Sequence, residues 1–128
     1  MITPRATLDQ ALQFHQAGNL QQAEAMHRQV LQQWPGQADA SYLIGLMAHH
    51  YGNLDLAIAH MRQACQSPRA PAHFYSDFAE MCRQDGLFAE GEQAARRAVA
   101  LSPNFAAAWN NLGIILRWRD RDCRRRAP

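Results

Sequence analysis

Six histidines and three cysteines are the residues of this 128-residue chain best suited to hold a metal ion or to pair a nucleophile with a base. Their spacing argues against both uses. His49 and His50 are neighbours, so on a helix their side chains diverge by about 100°. An i, i+4 pair would share a face; this pair does not. His60 and Cys65 lie five apart, again off a common face. Cys65, Cys82 and Cys123 are odd in number and far apart, which fits neither a disulfide framework nor a CxxC site. There is no HExxH, no GxSxG and no phosphate-binding glycine loop. Chemistry has to be argued from a constellation, and none is present. No catalytic residue, no cofactor and no metal ligand set is expected.

Arginine offers a different chemistry. All 13 basic residues are arginine, and lysine is absent. That composition suggests GC-rich coding and a bacterial source. Residues 1–116 hold seven Arg against nine Asp and Glu, a net of −2, while residues 117–128 hold six Arg against two Asp, a net of +4. A mildly acidic body thus carries a basic end. Arg117, Arg119, Arg121 and Arg124–Arg126, beside Trp118, could touch phosphates and stack on bases. The same run also reads as a solvated helix end. Asp120–Arg124 and Asp122–Arg126 are favourable i, i+4 pairs, and cations suit a helix C-terminus. A short charge run is usually solvated, so nucleic acid is disfavoured as a partner.

The elements that position these residues are helices. Hydrophobic residues make up 48% of the chain, enough to exclude disorder as the default. No apolar run approaches the roughly 18 residues needed to span a bilayer. The opening "MITPRATLDQ" has no apolar segment of the secretory type. A cytoplasmic protein without membrane contact is therefore expected. Gly18, Gly52 and Gly86 are spaced by 34 residues, in the matching contexts "HQAGNLQQAEA", "HHYGNLDLAIA" and "RQDGLFAEGEQ". Pro35 and Pro103 lie twice that period apart, and Pro68 falls one place early at the middle copy. Each glycine ends one helical pattern and precedes another, where a left-handed residue is cheap only for Gly. Each proline sits where the second helix should stop. Ile44, Ala48, Leu54, Ala57, Met61 and Ala64 recur at helical spacing on either side of Gly52. The pattern predicts helices over about 6–17, 20–33, 38–51, 54–66, 72–85, 88–101 and 106–121.

A 34-residue period with two helices per unit resembles the tetratricopeptide repeat, whose pattern is W-x2-L-G-x2-Y, then A-x3-F, then P. The last copy matches best at its start, with Trp109, Leu112 and Gly113, and Leu116 in place of the tyrosine. The third copy reads Tyr75, Phe78, Ala79, Cys82, Gly91, Ala95 and Pro103; the second reads Ser41, Ile44, Gly45, Ala48, Ala57 and Met61. The first is the most divergent, with Thr7, Gln10, Ala11, Phe14, Ala23, His27 and Pro35. Small residues stand where helices must approach closely: Ala11, Gly45, Ala79 and Gly113 on first helices, Ala23, Ala57 and Gly91 on second ones. Cys82 on this stripe reads as a small buried residue, and His27 as a packing residue.

The resemblance implies an all-α tetratricopeptide-repeat superhelix, an α-solenoid of three helix pairs plus a final unpaired helix. One array over 1–121 is expected, with repeats at about 4–37, 38–71 and 72–105, a partial repeat at 106–121, and a basic tail over 122–128. It implies a non-enzymatic scaffold that holds a protein or peptide segment on the concave side, lined by first helices. Helical geometry then gives the lining. The first unit offers Arg5, Leu8, Asp9, Leu12 and His15, and the second Tyr42, Leu43, Leu46, His49 and His50. The third offers His73, Ser76, Asp77, Glu80, Arg83 and Gln84, and the partial unit Asn110, Asn111, Ile114 and Arg117. This lining runs from apolar to polar. A clamp of Lys, Asn and Arg, which relatives use to grip a terminal carboxylate, finds Leu8, Leu12, Leu43, His73 and Asp77 in its places. That use is disfavoured.

"AAWNNLGIIL" is also similar to the N-terminal repeats of bacterial O-linked N-acetylglucosamine transferase-like proteins, which carry a ladder of groove asparagines. Asn111 matches one rung; the equivalent places hold Asp77, Leu43 and Asp9. The alternative expectation is therefore a truncated N-terminal substrate-recognition region of a larger bacterial glycosyltransferase. The last unit also breaks its pattern: Asp120 stands where the loop glycine belongs, and no apolar period resumes after it. The final helix would then be either a cap or the mark of a shortened or shifted reading frame. Ile114, Ile115 and Trp118 persist where a cap would turn polar, which favours the second. Self-association through this exposed helix is a further expectation.

Overall fold

The structure, a computed structural model, describes residues 17–33 and 38–126, with Gln10, Gln13 and Phe14 before them. The side chains at 20, 23, 24, 27, 30, 31 and 122–126 are outside that description. So are Arg5, Leu8, Asp9, Leu12, His15 and Pro35, and with them most of the helix expected over 6–17. The described elements are helices α1 (Leu20–Gln33), α2 (Ala38–His50), α3 (Leu54–Cys65), α4 (Ala72–Gln84), α5 (Phe88–Leu101) and α6 (Ala106–Arg126). No strand occurs among the described residues.

The three period glycines set the turns. Gly18, Gly52 and Gly86 have φ of 82°, 81° and 79°, a left-handed conformation that costs a side chain about 1–2 kcal/mol. Each is followed by a residue whose amide reaches back five residues: Asn19 to Phe14 at 2.8 Å, Asn53 to Ala48 at 2.8 Å, and Leu87 to Cys82 at 2.8 Å. This is the six-residue closure of a helix C-terminus. The next helix starts at once. Asn53 Oδ1 accepts from the Leu56 amide at 3.3 Å, and Asn19 Oδ1 accepts from the Gln22 amide at 3.4 Å, filling donors that a helix N-terminus leaves open. At the other junctions α3 stops before Pro68 and α5 before Pro103.

The contacts divide the chain into two units, Met1–Ser67 and Pro68–Pro128. In the first, α2 packs against both α1 and α3. The α2–α3 crossing is close because Gly45 sits in it: a Cβ there would stand 3.2 Å from both the Ala57 carbonyl oxygen and Met61 Cε. Ile44, Met47 and Ala48 on α2, and Ala57, Ile58, Met61 and Ala64 on α3, form the buried faces.

In the second unit α5 packs against α4 and α6, and α4 also touches α6. Gly91 is the close point. Its missing Cβ would lie 3.1 Å from both Cys82 Cβ and Ile115 Cδ1. Phe74, Phe78, Ala79, Met81 and Cys82 are buried on α4, Ala94, Ala95 and Ala98 on α5, and Ala108, Leu112 and Ile115 on α6. The alanines let the helix axes approach. Glu92 on α5 ties the unit's surface, receiving Arg119 of α6 and, at 3.1 Å, Arg96 of its own helix.

Two features depart from the sequence reading. The last helix, expected to end at 121, runs to Arg126. Asp120 supplies no left-handed stop of the kind the three glycines provide, and the acidic and basic residues of this stretch are spaced for helix. Gly113, expected at a close helix approach, meets nothing within 4 Å. Among the described residues no helix folds back over that side of α6.

Candidate peptide-binding groove

On α2, one face is packed and the opposite one is only partly covered. Tyr42, Leu43, Leu46 and His49 are half-buried, and His50 is exposed. Burial of Ile44, Met47 and Ala48 fixes the rotation of the helix, so the large residues at 42, 43 and 46 stand beside the core rather than in it. His49 and His50 differ in exposure as neighbours on a helix must. No three His, Cys, Asp or Glu side chains gather as metal ligands among the described residues.

In the second unit the structure brings α4 and α6 side by side. His73 is exposed; Asp77, Glu80 and Arg83 are half-buried. Arg83 lies 3.9 Å from Glu80, one turn away, and its Nε is buried without a hydrogen-bond acceptor. Asn110 is exposed, whereas Asn111 is only 7% exposed. The Asn111 side-chain amide donates to the Ser76 carbonyl at 3.1 Å and to Ser76 Oγ at 3.4 Å. Buried polar groups need such partners, so Asn111 fastens α6 to α4 while Asn110, one place earlier, faces water. Periodicity places 110 and 111 near one face; only the packed helices show which of the two is spent on structure.

A small cleft of about 200 Å³ was not anticipated. Ile44, Met47, Ala48, Tyr51, Asn53 and Leu56 line it, around the Gly52 turn. Its sequence signal is a pair of large residues, Tyr51 and Leu56, flanking a turn; both remain exposed.

His60 carries the one resolved change in acidity among the described groups. Burial, and then the nearby Arg28 charge, lower its pKa below the ordinary 6.5. Its Nδ1 is buried without a partner. A folded-state pKa below the unfolded value means that the unfolded chain takes up the proton more readily. This contribution to stability is therefore complete above about pH 6.5 and is lost as the pH falls through the lowered value. Urea midpoints measured between about pH 7 and pH 5 should fall less in His60→Gln than in the unmodified chain.

Paired helices, glycine turns at a 34-residue interval and small residues at each crossing define a helical-repeat protein. Residues 8–73 match the model of the tetratricopeptide repeat, and the chain belongs to that family. Its fold is typically a non-catalytic one, and among the described residues no helix is long and apolar enough to cross a membrane. No curated protein matches the sequence. Solved structures do resemble the fold. A mutant Thermobaculum terrenum O-GlcNAc transferase aligns with a TM-score of 0.76 and 25% identity, over 91% of this chain and 23% of the transferase. The Yersinia enterocolitica type III secretion chaperone SycD, solved with a peptide of the translocator YopD, aligns with a TM-score of 0.78 and 19% identity, over 90% of this chain and 93% of the chaperone. A MamA protein gives a TM-score of 0.81 at 15% identity, over 92% of this chain and 64% of that one. This chain thus spans under a quarter of the transferase and nearly all of the chaperone.

Proposed function

We propose that this protein is a non-enzymatic scaffold that binds a partner peptide or protein segment along the open faces of its first helices. The observation that carries this reading is on α2. Tyr42, Leu43 and Leu46 are large, apolar or amphipathic, and stay half-exposed on a helix whose other face is fully packed. The second unit, taken by itself, carries polar side chains at His73, Asp77, Glu80 and Arg83 on its first helix and at Asn110 on α6. The chaperone of like fold was solved with a peptide, which supports the same use here. Apolar anchors with polar specificity groups are the usual make-up of peptide recognition on a rigid helical surface. Cytoplasmic action in a bacterial cell is part of the proposal.

The test is a selection of phage-displayed peptides on the full chain, followed by titration of the selected peptides. Leu46→Asp and Asp77→Arg should each weaken binding by about tenfold or more without lowering the melting temperature. Gln93→Ala on the exposed side of α5 should leave it unchanged. Peptides that bind equally well to both groove variants would defeat the reading.

A second reading rests on the likeness to the O-GlcNAc transferase: the repeats would select substrates for a longer glycosyltransferase. Reading the downstream DNA in all three frames separates the two. A further helix pair leading into a transferase domain supports the second reading, and its absence removes it.

A further inference from the structure

The period shows what covers each first helix. Positions 41, 45 and 48 of α2 form one stripe; all three are buried, and Gly45 meets Ala57 and Met61 of α3. On α4 the equivalent stripe is 75, 79 and 82, with Ala79 and Cys82 fully buried. On α6 it is Trp109, Gly113 and Leu116. There Trp109 is 49% exposed, Gly113 has nothing within 4 Å, and Leu116 is only partly covered. The stripe is in place before anything docks. Trp109 Nε1 donates to the Pro103 carbonyl at 2.8 Å, and the opposite side of α6 is fixed by Leu112, Ile115 and the Arg119–Glu92 ion pair.

We propose that this stripe is an interface for a second copy of the same chain, with two α6 helices crossing antiparallel about Gly113. The stripe is complementary to itself. Trp109 lies four residues before Gly113 and the exposed Arg117 four after it. A two-fold axis through Gly113 therefore sets each indole opposite the other copy's guanidinium, twice. An isologous contact requires this reciprocity. A guanidinium over an indole is a favourable pair, and this helix already makes one, with Arg121 standing 5.3 Å from the Trp118 ring centre. Gly113, without a Cβ, lets the two backbones approach as Gly45 and Gly91 do within the chain. A single helix crossing lies at the small end of specific interfaces, so the dimer dissociates on dilution. This contact uses Arg117 and borders Asn110, both counted above with the groove lining, but it does not depend on the groove residues of α2 or of α4.

Sedimentation velocity over a wide concentration range tests it on the full chain. The unmodified protein should show a reversible monomer–dimer equilibrium. Gly113→Glu, at a position with open space around it, should raise the dissociation constant by about tenfold or more, because two carboxylates then meet at the axis. Arg117→Glu should do the same by losing the indole contact. Gln93→Glu, on α5, should change nothing. Gly113→Cys should oxidise to a covalent dimer more readily than the unmodified chain with its native cysteines. A strict monomer at every concentration overturns the proposal, and so does a dimer whose dissociation constant is unmoved by both α6 variants.

Discussion

Replacing Ile115 by alanine should destabilise the chain by about 2–5 kcal/mol, which lowers the melting temperature by roughly 8–20 °C. Ile115 is fully buried on α6 and points its Cδ1 toward Gly91 of α5. Truncation removes the methyl and methylene groups that fill this junction. The backbone cannot collapse into the gap, because Asn111 and Arg119 hold α6 against α4 and α5. Leu116, the next residue, is partly exposed, and its truncation should have a much smaller effect. Thermal melts followed by circular dichroism compare the two variants. Equal losses would show that Ile115 does not hold the junction.

Two glycines in the same unit should respond in opposite senses. Gly91→Val should destabilise by about 1–3 kcal/mol or more, despite valine's better helix propensity. Its Cβ alone would press on Cys82 Cβ and Ile115 Cδ1 at 3.1 Å. The Ile115 methyl can rotate away, but Cys82 Cβ moves only if α4 moves. Gly113→Ala should stabilise by about 0.5–1 kcal/mol, measured in dilute solution where the chain is monomeric, since it relieves a glycine in a helix and meets no neighbour. Urea titration of both variants checks the pair. A stabilised Gly91→Val or a destabilised Gly113→Ala would contradict the packing described for α5 and α6.

Much of this was legible in the residues because the governing constraint is local. A glycine at 18, 52 and 86 is needed by the backbone itself, and all three take the left-handed conformation that the spacing predicts. Cys82 and Ile44 follow from helical periodicity, which burial obeys. The remaining features depend on what lies across from a residue. Gly113 has the family's residue at the family's position, yet among the described residues no helix covers it. Asn111 carries no local sign that Ser76 will take its amide. α6 runs past 121 to Arg126 because a helix without a stop signal continues. The cleft beside Tyr51 arises from two elements meeting at a turn, and no single-helix periodicity encodes it. The candidate groove residues lie on α2, α4 and α6, and spacing encodes neither their packing partners nor a ligand.

The neighbour-to-neighbour packing of these helices has a kinetic consequence. Each main contact joins a helix to one only one or two elements along the chain. Little loop entropy has to be surrendered before the first contacts are made, which is the condition for rapid folding. A helix pair can form as soon as its own 34 residues are available, without waiting for a distant strand or terminus. The chain is therefore suited to acquire structure progressively as it is synthesised.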